Sequence, residues 1–257
     1  MKRYALKIEY DGTSYHGWQK QKECKTVQGE IELAFSQFLN HPIKIVGSGR
    51  TDSGVNATGQ VAHVDLKKEW DPVKLQGALN FFLRNRFISI IKISKVDENF
   101  HARFSAKSRV YEYKMLIRRA PLTFQKNQYW HLTRSQDIKN LKISVQFLIG
   151  THDFTTFRSS ICQANSPIKT IDSIFIKEKE LPNERIVVIE FKAKSFLHNQ
   201  VRSIVGSLEK VSSNKWRPDQ IKYILEAKDR SKCGPLAPPQ GLYLKNIVYG
   251  YRIFEEN

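Results

Sequence analysis

The segment Gly47-Ser48-Gly49-Arg50-Thr51-Asp52-Ser53-Gly54 places three glycines, one arginine and one carboxylate in eight residues. Glycine lets a backbone turn sharply and come close to a ligand. Two phosphate-binding chemistries fail on neighbouring residues. Gly49 and Gly54 supply the frame of a phosphate loop, but Val55 and Asn56 stand where Lys and Ser or Thr must hold phosphate and magnesium. A dinucleotide fingerprint needs a third glycine at a set offset and a helix after it, and here a strand pattern follows. The remaining alternative is structural, an Asx turn in which Asp52 bonds its own backbone.

No other cluster offers a competing mechanism. His152-Asp153 has no nucleophile pattern nearby, and His63 and His101 are isolated, so all are read as hydrogen-bonded histidines without chemistry. Cys24, Cys162 and Cys233 are odd in number and far apart, with no Cys-x-x-Cys and no histidine pair at metal spacing. Reduced thiols, no metal and no cofactor are the expectation. Carboxylates do not cluster at ligand spacing, which disfavours a metal-dependent nuclease.

The chain has 42 Lys and Arg against 25 Asp and Glu, a formal charge of +17 over 257 residues. A polyanion such as RNA is the first partner this implies, although small basic proteins without one also exist. No apolar run approaches the roughly 20 residues needed to span a bilayer. Met1-Lys2-Arg3-Tyr4 leads directly into an alternating strand pattern. We expect a cytoplasmic protein with no membrane partner.

The elements that must position Asp52 follow from periodicity. Residues 3–10 alternate, with Tyr4, Leu6, Ile8 and Tyr10 on one face, and Asp11-Gly12 ends the strand as a turn. Thr26 is an N-cap for a helix with Val27, Ile31, Phe35 and Phe38 inward, and strands follow near 43–46 and 60–66. Asp71-Pro72 opens a second helix with Leu75, Ala78, Leu79 and Phe82 inward, and 88–96 is a strand. The order is β-α-β-β-α-β, a split βαβ or ferredoxin-like half.

The later residues repeat that order: a strand at 110–117, a helix at 138–148 closed by Gly150, strands near 168–176 and 186–191, and a helix at 197–211. A short helix opens at Pro218, and a strand at 242–251 ends the series. The fold class expected is α+β, two ferredoxin-like halves joined in one antiparallel sheet with helices on one face. The halves are assigned to 1–104, carrying the Asp52 loop, and 105–257, packed as one unit with a hinge near residues 99–108. Split βαβ sheets also present bases in common RNA-recognition domains, although the aromatic RNP1 signature is absent.

Gly49-Arg50-Thr51-Asp52-Ser53-Gly54-Val55 resembles the catalytic signature of the TruA family of tRNA pseudouridine synthases, and the resemblance runs along nearly the whole chain. It is carried further by Tyr10-Asp11-Gly12-Thr13 with Gly17-Trp18-Gln19, by Phe100-His101-Ala102-Arg103-Phe104, by Tyr111, and by Gly150-Thr151-His152-Asp153-Phe154. Val201-Arg202 with Ile204-Val205-Gly206, and Gly241-Leu242-Tyr243-Leu244, complete it. The resemblance implies Asp52 as nucleophile, Arg50 and Arg202 near it, Tyr111 stacked on the target uracil, and Leu242 as an apolar wall. It also implies a homodimer acting on tRNA, in the anticodon stem-loop at positions 38 to 40. Three residues depart from the family's pattern: Asn56 where His is usual, Gln200 where Met is usual, and Ser203 where Asn is usual.

These residue types suit the implied reaction. Pseudouridine formation breaks the N1–C1′ bond, turns the uracil and joins C5 to C1′. Glycoside hydrolysis needs two carboxylates, because an acid must protonate the leaving group and water must be activated. Uracil departs as a delocalised anion and is retained, so one carboxylate suffices. A nearby guanidinium keeps that carboxylate ionised. Arg202 is the candidate, since a charge within the apolar run 201–205 calls for a partner. A base stacked in a stem must first be extruded, and Arg50 is placed to fill the vacated space. A non-catalytic RNA-binding protein remains the rival reading of charge and element order alone.

Overall fold

The structure, a computed structural model, describes residues 1–254. It is α+β, as the element order implies, and forms two compact units. The first comprises Met1–Arg109 with the chain from Leu244 onward, and the second Val110–Tyr243.

In the first unit the order is β1 (Lys2–Tyr10), α1 (Val27–Leu39), β2 (Ile45–Gly47), β3 (Asn56–Leu66), α2 (Pro72–Leu83) and β4 (Ile88–Val96). The strands lie β4-β1-β3 with β2 also paired to β3, every one of these pairs antiparallel. That is the split βαβ arrangement. In β1, Tyr4, Leu6, Ile8 and Tyr10 are buried while Glu9 is exposed, the alternation of a half-covered strand. Ala5 on the opposite face is buried too.

Helix α1 starts where Thr26 accepts from Gly29 N at 3.3 Å and ends at Asn40, which is left-handed with φ 56°. It buries Val27, Ile31 and Phe35, one row at i, i+4, i+8. Helix α2 starts with Asp71 capping Lys74 N at 2.9 Å and Pro72 in the first turn. Its buried row is Leu75, Leu79 and Leu83, whereas Ala78 and Phe82 are only half-buried. The helix runs to Leu83, so the i+4 row lies innermost and turns Phe82 toward the rim.

The second unit holds β5 (Ala106–Ile117) from Val110 onward, β6 (Trp130–Leu132), α3 (Ile138–Val145), β7 (Gly150–Asp153), β8 (Ile168–Leu181) and β9 (Glu184–Ala193). It continues through α4 (Gln200–Ser212) and α5 (Gln220–Ala227) to the first residues of β10 (Leu242–Tyr249). Its strands lie in the order β5-β9-β8-β7, and β6 adds a short parallel pair to the end of β5.

Four elements differ from the periodic reading. The helix expected over 138–148 changes to a 3-10 turn at Gln146–Leu148, which seats Leu148 in the core before Gly150 reverses the chain at φ +103°. The helix expected from Leu197 begins at Gln200, because Asn199 is left-handed at φ 62° and the Gln200 side chain takes the Leu197 amide. Strands β6 and β7 are too short for periodicity to reveal. Within α4, Gly206 is required by contact: a Cβ there would lie 1.7 Å from the Pro235 carbonyl oxygen.

Among the described residues no helix is long and apolar enough to cross a membrane.

His63 of β3 lies 5% exposed, and its Nδ1 accepts from Ala102 N at 3.1 Å. Burial lowers its pKa from 6.5 to about 4, aided by the charges of Arg3 and His101 and opposed by Asp65. The unfolded chain therefore takes the proton first, and stability complete above pH 6.5 falls as pH drops toward 4. We expect a loss on the order of 2 kcal/mol across that window. His63→Asn, which keeps an acceptor near Nδ1, should be less stable at neutral pH but flatter with pH. Urea midpoints between pH 7 and 4 check this, and equal slopes in the two proteins would refute it.

Candidate active site

The loop from Gly47 to Val55 joins β2 to β3 in the first unit, and the chain from Asp11 to Trp18 clasps it. Trp18 N donates to Thr51 O at 3.1 Å, Gly54 N to Tyr15 O at 3.2 Å, and the Tyr10 and Thr51 hydroxyls share a buried 2.7 Å bond. Ser53 Oγ also donates to Tyr15 O, at 3.2 Å. No side chain fits at Gly12 or Gly17. A Cβ on Gly12 would sit 2.0 Å from Val55 O, and one on Gly17, at φ +91°, would sit 2.5 Å from Thr51 O. The turn is closed by Val55 N donating to the main-chain oxygen of Asp52 at 3.2 Å, with Gly54 at φ +75°. Asp52 is half-buried and Arg50, on the same loop, is exposed.

The start of the loop is held by Gln60, fully buried on β3. Its Oε1 accepts from Ser48 Oγ at 2.8 Å and Val61 N at 3.1 Å, while its Nε2 donates to Gly49 O at 2.9 Å. Arg109 Nη2 donates to Ser48 O at 2.8 Å and to Arg103 O at 2.7 Å. Sequence reasoning passed over both residues. A lone Gln in a strand and a lone Arg carry no pattern, and only long-range pairing reveals their work.

Tyr111, Arg202 and Leu242 belong to the second unit. Tyr111 is half-buried on β5, its ring edge-to-face with Phe196 at 5.2 Å and 86°. Phe196, in the loop before α4, was not singled out from sequence, because an aromatic in a loop has no periodic signature. Two residues on, Tyr113 is wholly buried, its hydroxyl donates to Pro238 O at 2.7 Å, and burial raises its pKa. The charge of Arg202 partly opposes that rise, so this guanidinium lies within electrostatic reach of β5. Arg202 leaves the first turn of α4 half-buried, Nε donating to Ala237 O at 2.8 Å and Nη1 to Asn199 Oδ1 at 3.2 Å. Leu242, 5% exposed, opens β10 directly after Gly241, whose backbone presses against the Tyr113 ring.

The three departures from the family's pattern are buried and hold backbone or neighbouring side chains. Asn56 Oδ1 accepts from Gly12 N at 2.7 Å, pinning the clasp. Gln200 Oε1 accepts from Leu197 N at 2.8 Å, and its Nε2 has no hydrogen-bond partner among the described residues. Ser203 Oγ accepts from Arg230 Nη1 at 2.9 Å. In the His152-Asp153 pair, His152 Nε2 bonds Ile149 O at 2.9 Å, and Asp153 Oδ1 accepts from Thr155 N and Oγ1 at 2.9 and 2.6 Å. A cavity of about 860 Å³ lined by α3 residues, Glu178 and Arg185 contains none of the candidate residues.

Comparison with known proteins covers both units. The family described as tRNA pseudouridine synthase matches residues 7–105 and 145–250. A protein named tRNA pseudouridine synthase A from Cereibacter sphaeroides (strain ATCC 17025 / ATH 2.4.3) is 49% identical over 249 residues, 97% of each chain. Its namesake from Roseobacter denitrificans is 48% identical over 255 residues, 99% of this chain and 98% of that one. Another from Ruegeria sp. (strain TM1040) is 46% identical over 257 residues, 100% and 99% of the two chains. Among solved structures, a Cbf5-Nop10-Gar1 complex aligns with a TM-score of 0.32 and 10% identity. It covers 80% of this chain and 53% of that one, a likeness that carries no weight here.

The clasp makes a direct prediction. Gly17→Ala combines a left-handed φ with a 2.5 Å clash against Thr51 O. It should cost about 1–3 kcal/mol of stability and speed amide exchange across residues 51–55. Exchange unchanged over those amides would show that the two segments are not coupled.

Proposed function

The chain belongs to the tRNA pseudouridine synthase family, and from that premise we propose that it isomerises uridine in the anticodon stem-loop of tRNA, at positions 38 to 40, with Asp52 as nucleophile. It is an isomerase acting on tRNA. The observation that carries the finer reading is the seat of Asp52. A half-buried carboxylate rides on a turn bonded to a second loop through the backbone at Thr51 and Gly54 and through the hydroxyl of Ser53. A nucleophile so held loses little further freedom when it meets the base, which is how positioning lowers a barrier.

Three routes to the product use this carboxylate: attack on C1′, attack on C6 of the ring, or assistance to elimination at C2′. All require it ionised and beside the extruded uracil. Arg50, Tyr111, Arg202 and Leu242 keep the substrate-handling roles that the family's motifs imply. Tyr111, braced by Phe196, offers the uracil a ring to stack on. Arg202, anchored by Ala237 and Asn199, presents a guanidinium of fixed orientation. A homodimer in the cytoplasm, where tRNA substrates are met, completes the reading.

Asp52→Asn keeps size and reach but removes the charge and nearly all nucleophilicity. Pseudouridine formation should fall by roughly 10³-fold or more. Affinity for tRNA should stay within about threefold, because phosphate contacts over the basic surface supply it. Site-resolved mapping of pseudouridine in treated tRNA checks both the loss and the positions. Substantial product from a verified variant would remove Asp52 from the mechanism.

Binding should also weaken with salt. For about four neutralised phosphates, affinity falls roughly 100-fold between 50 and 200 mM monovalent salt. An affinity indifferent to salt would contradict the use of the +17 charge for RNA.

A further inference from the structure

Residues 97–105 join β4 to β5 within the first unit, and their backbone is tied down at nearly every step. Asn99 N donates to Asp97 Oδ1 and Phe100 N to Asp97 O, while Arg3 Nη1 donates to the carbonyls of Glu98 and Phe100. His101 N bonds Ser105 Oγ and Ser105 N bonds His101 O. Ala102 N donates to His63, and Tyr249 Oη to Ala102 O. The amides of Arg103 and Phe104 both donate to His101 Nδ1, at 3.2 and 3.3 Å. A loop held this way has little entropy left to lose on binding.

At the tip of this rigid loop Phe104 is 75% exposed. Its ring rests on His101, centroids 4.4 Å apart at 35°, and the Arg103 guanidinium lies 5.5 Å from its centroid. Single exposed apolar side chains are ordinary. Phe104 has a seat fixed by the hydrogen bonds of its own loop, an imidazole in tilted contact with its ring and a cation beside it. It also has a fixed place, since one nitrogen of Arg109 bonds both Arg103 O and Ser48 O. The loop that carries Phe104 is thus fastened to the loop that carries Asp52.

An aromatic plane beside a guanidinium matches a nucleotide, whose base stacks and whose phosphate pairs. Extruding one nucleotide from a stem leaves its neighbours without a stacking partner. We propose that Phe104, with Arg103, is a stacking platform for an unpaired tRNA base next to the target uridine. This rests on the reading of the chain as a uridine isomerase acting in an anticodon stem-loop.

The test compares Phe104→Ala, Phe104→Leu and Phe104→Trp with the wild type on the same tRNA, with Phe175→Ala, an exposed phenylalanine on β8, as control. KM and kcat are measured together with the circular dichroism spectrum and the sedimentation coefficient. Loss of one base–aromatic stack should raise KM about tenfold in the Ala and Leu variants, with little change in kcat. Trp should restore the wild-type KM, since it keeps the plane. The control should behave as wild type.

A KM for Phe104→Ala equal to that of the wild type would overturn the platform. So would full rescue by Leu, which would mean mere apolar contact. A changed sedimentation coefficient in the Ala variant would assign the patch to a second copy of the chain instead. If the wild type itself forms no pseudouridine, the functional reading fails, an outcome distinct from an active wild type beside an unaffected variant.

Discussion

Two backbones come into direct contact at Gly12 and Gly17, where residues 11–18 lie against residues 47–55, and the placement of Asp52 depends on that contact. Its closeness follows from Gly12 and Gly17, at which any Cβ would collide with a carbonyl of the opposite segment. Peptide groups brought this near must bond or be left unsatisfied, and here Thr51 O, Gly54 N and Tyr15 O are paired across the contact. Around it lies a wall of buried aromatics, Tyr10, Tyr15 and Trp18, which removes water and strengthens those bonds. The clasp holds the loop that carries Asp52 through its main chain at Thr51 and Gly54.

The same economy recurs where charges are half-buried. A guanidinium taken partly out of water must find acceptors in a fixed geometry. Arg202 finds them in Ala237 O and Asn199 Oδ1, and Arg109 finds them in Ser48 O and Arg103 O. Each arginine therefore fixes a loop while its own orientation is fixed by it. Asn199 shows the coupling most plainly: its left-handed backbone starts α4 late and turns its carboxamide oxygen to the arginine.

The departures at Asn56, Gln200 and Ser203 obey one rule. Each places a short polar side chain in a buried position and gives its oxygen a donor: Gly12 N, Leu197 N and Arg230 respectively. Buried oxygens so paired cost little.

From the sequence alone, the α+β class, the order of the main strands and helices, and the sharp glycine-rich turn that carries Asp52 were all legible. Their causes are local: period-two and period-3.6 apolar patterns, the caps Thr26 and Asp71, and a glycine-rich turn beside a family signature. What lay beyond the sequence was whatever depends on a partner far along the chain. Gln60 reading the carbonyl of Gly49, Arg109 joining two loops, and Phe196 bracing Tyr111 have no signature in neighbouring residues. The three-residue β6 exists because β5 offers it an edge to pair with. Local propensity is a property of adjacent residues, whereas the hydrogen bonds and close contacts that hold a site still are made between segments that only folding brings together.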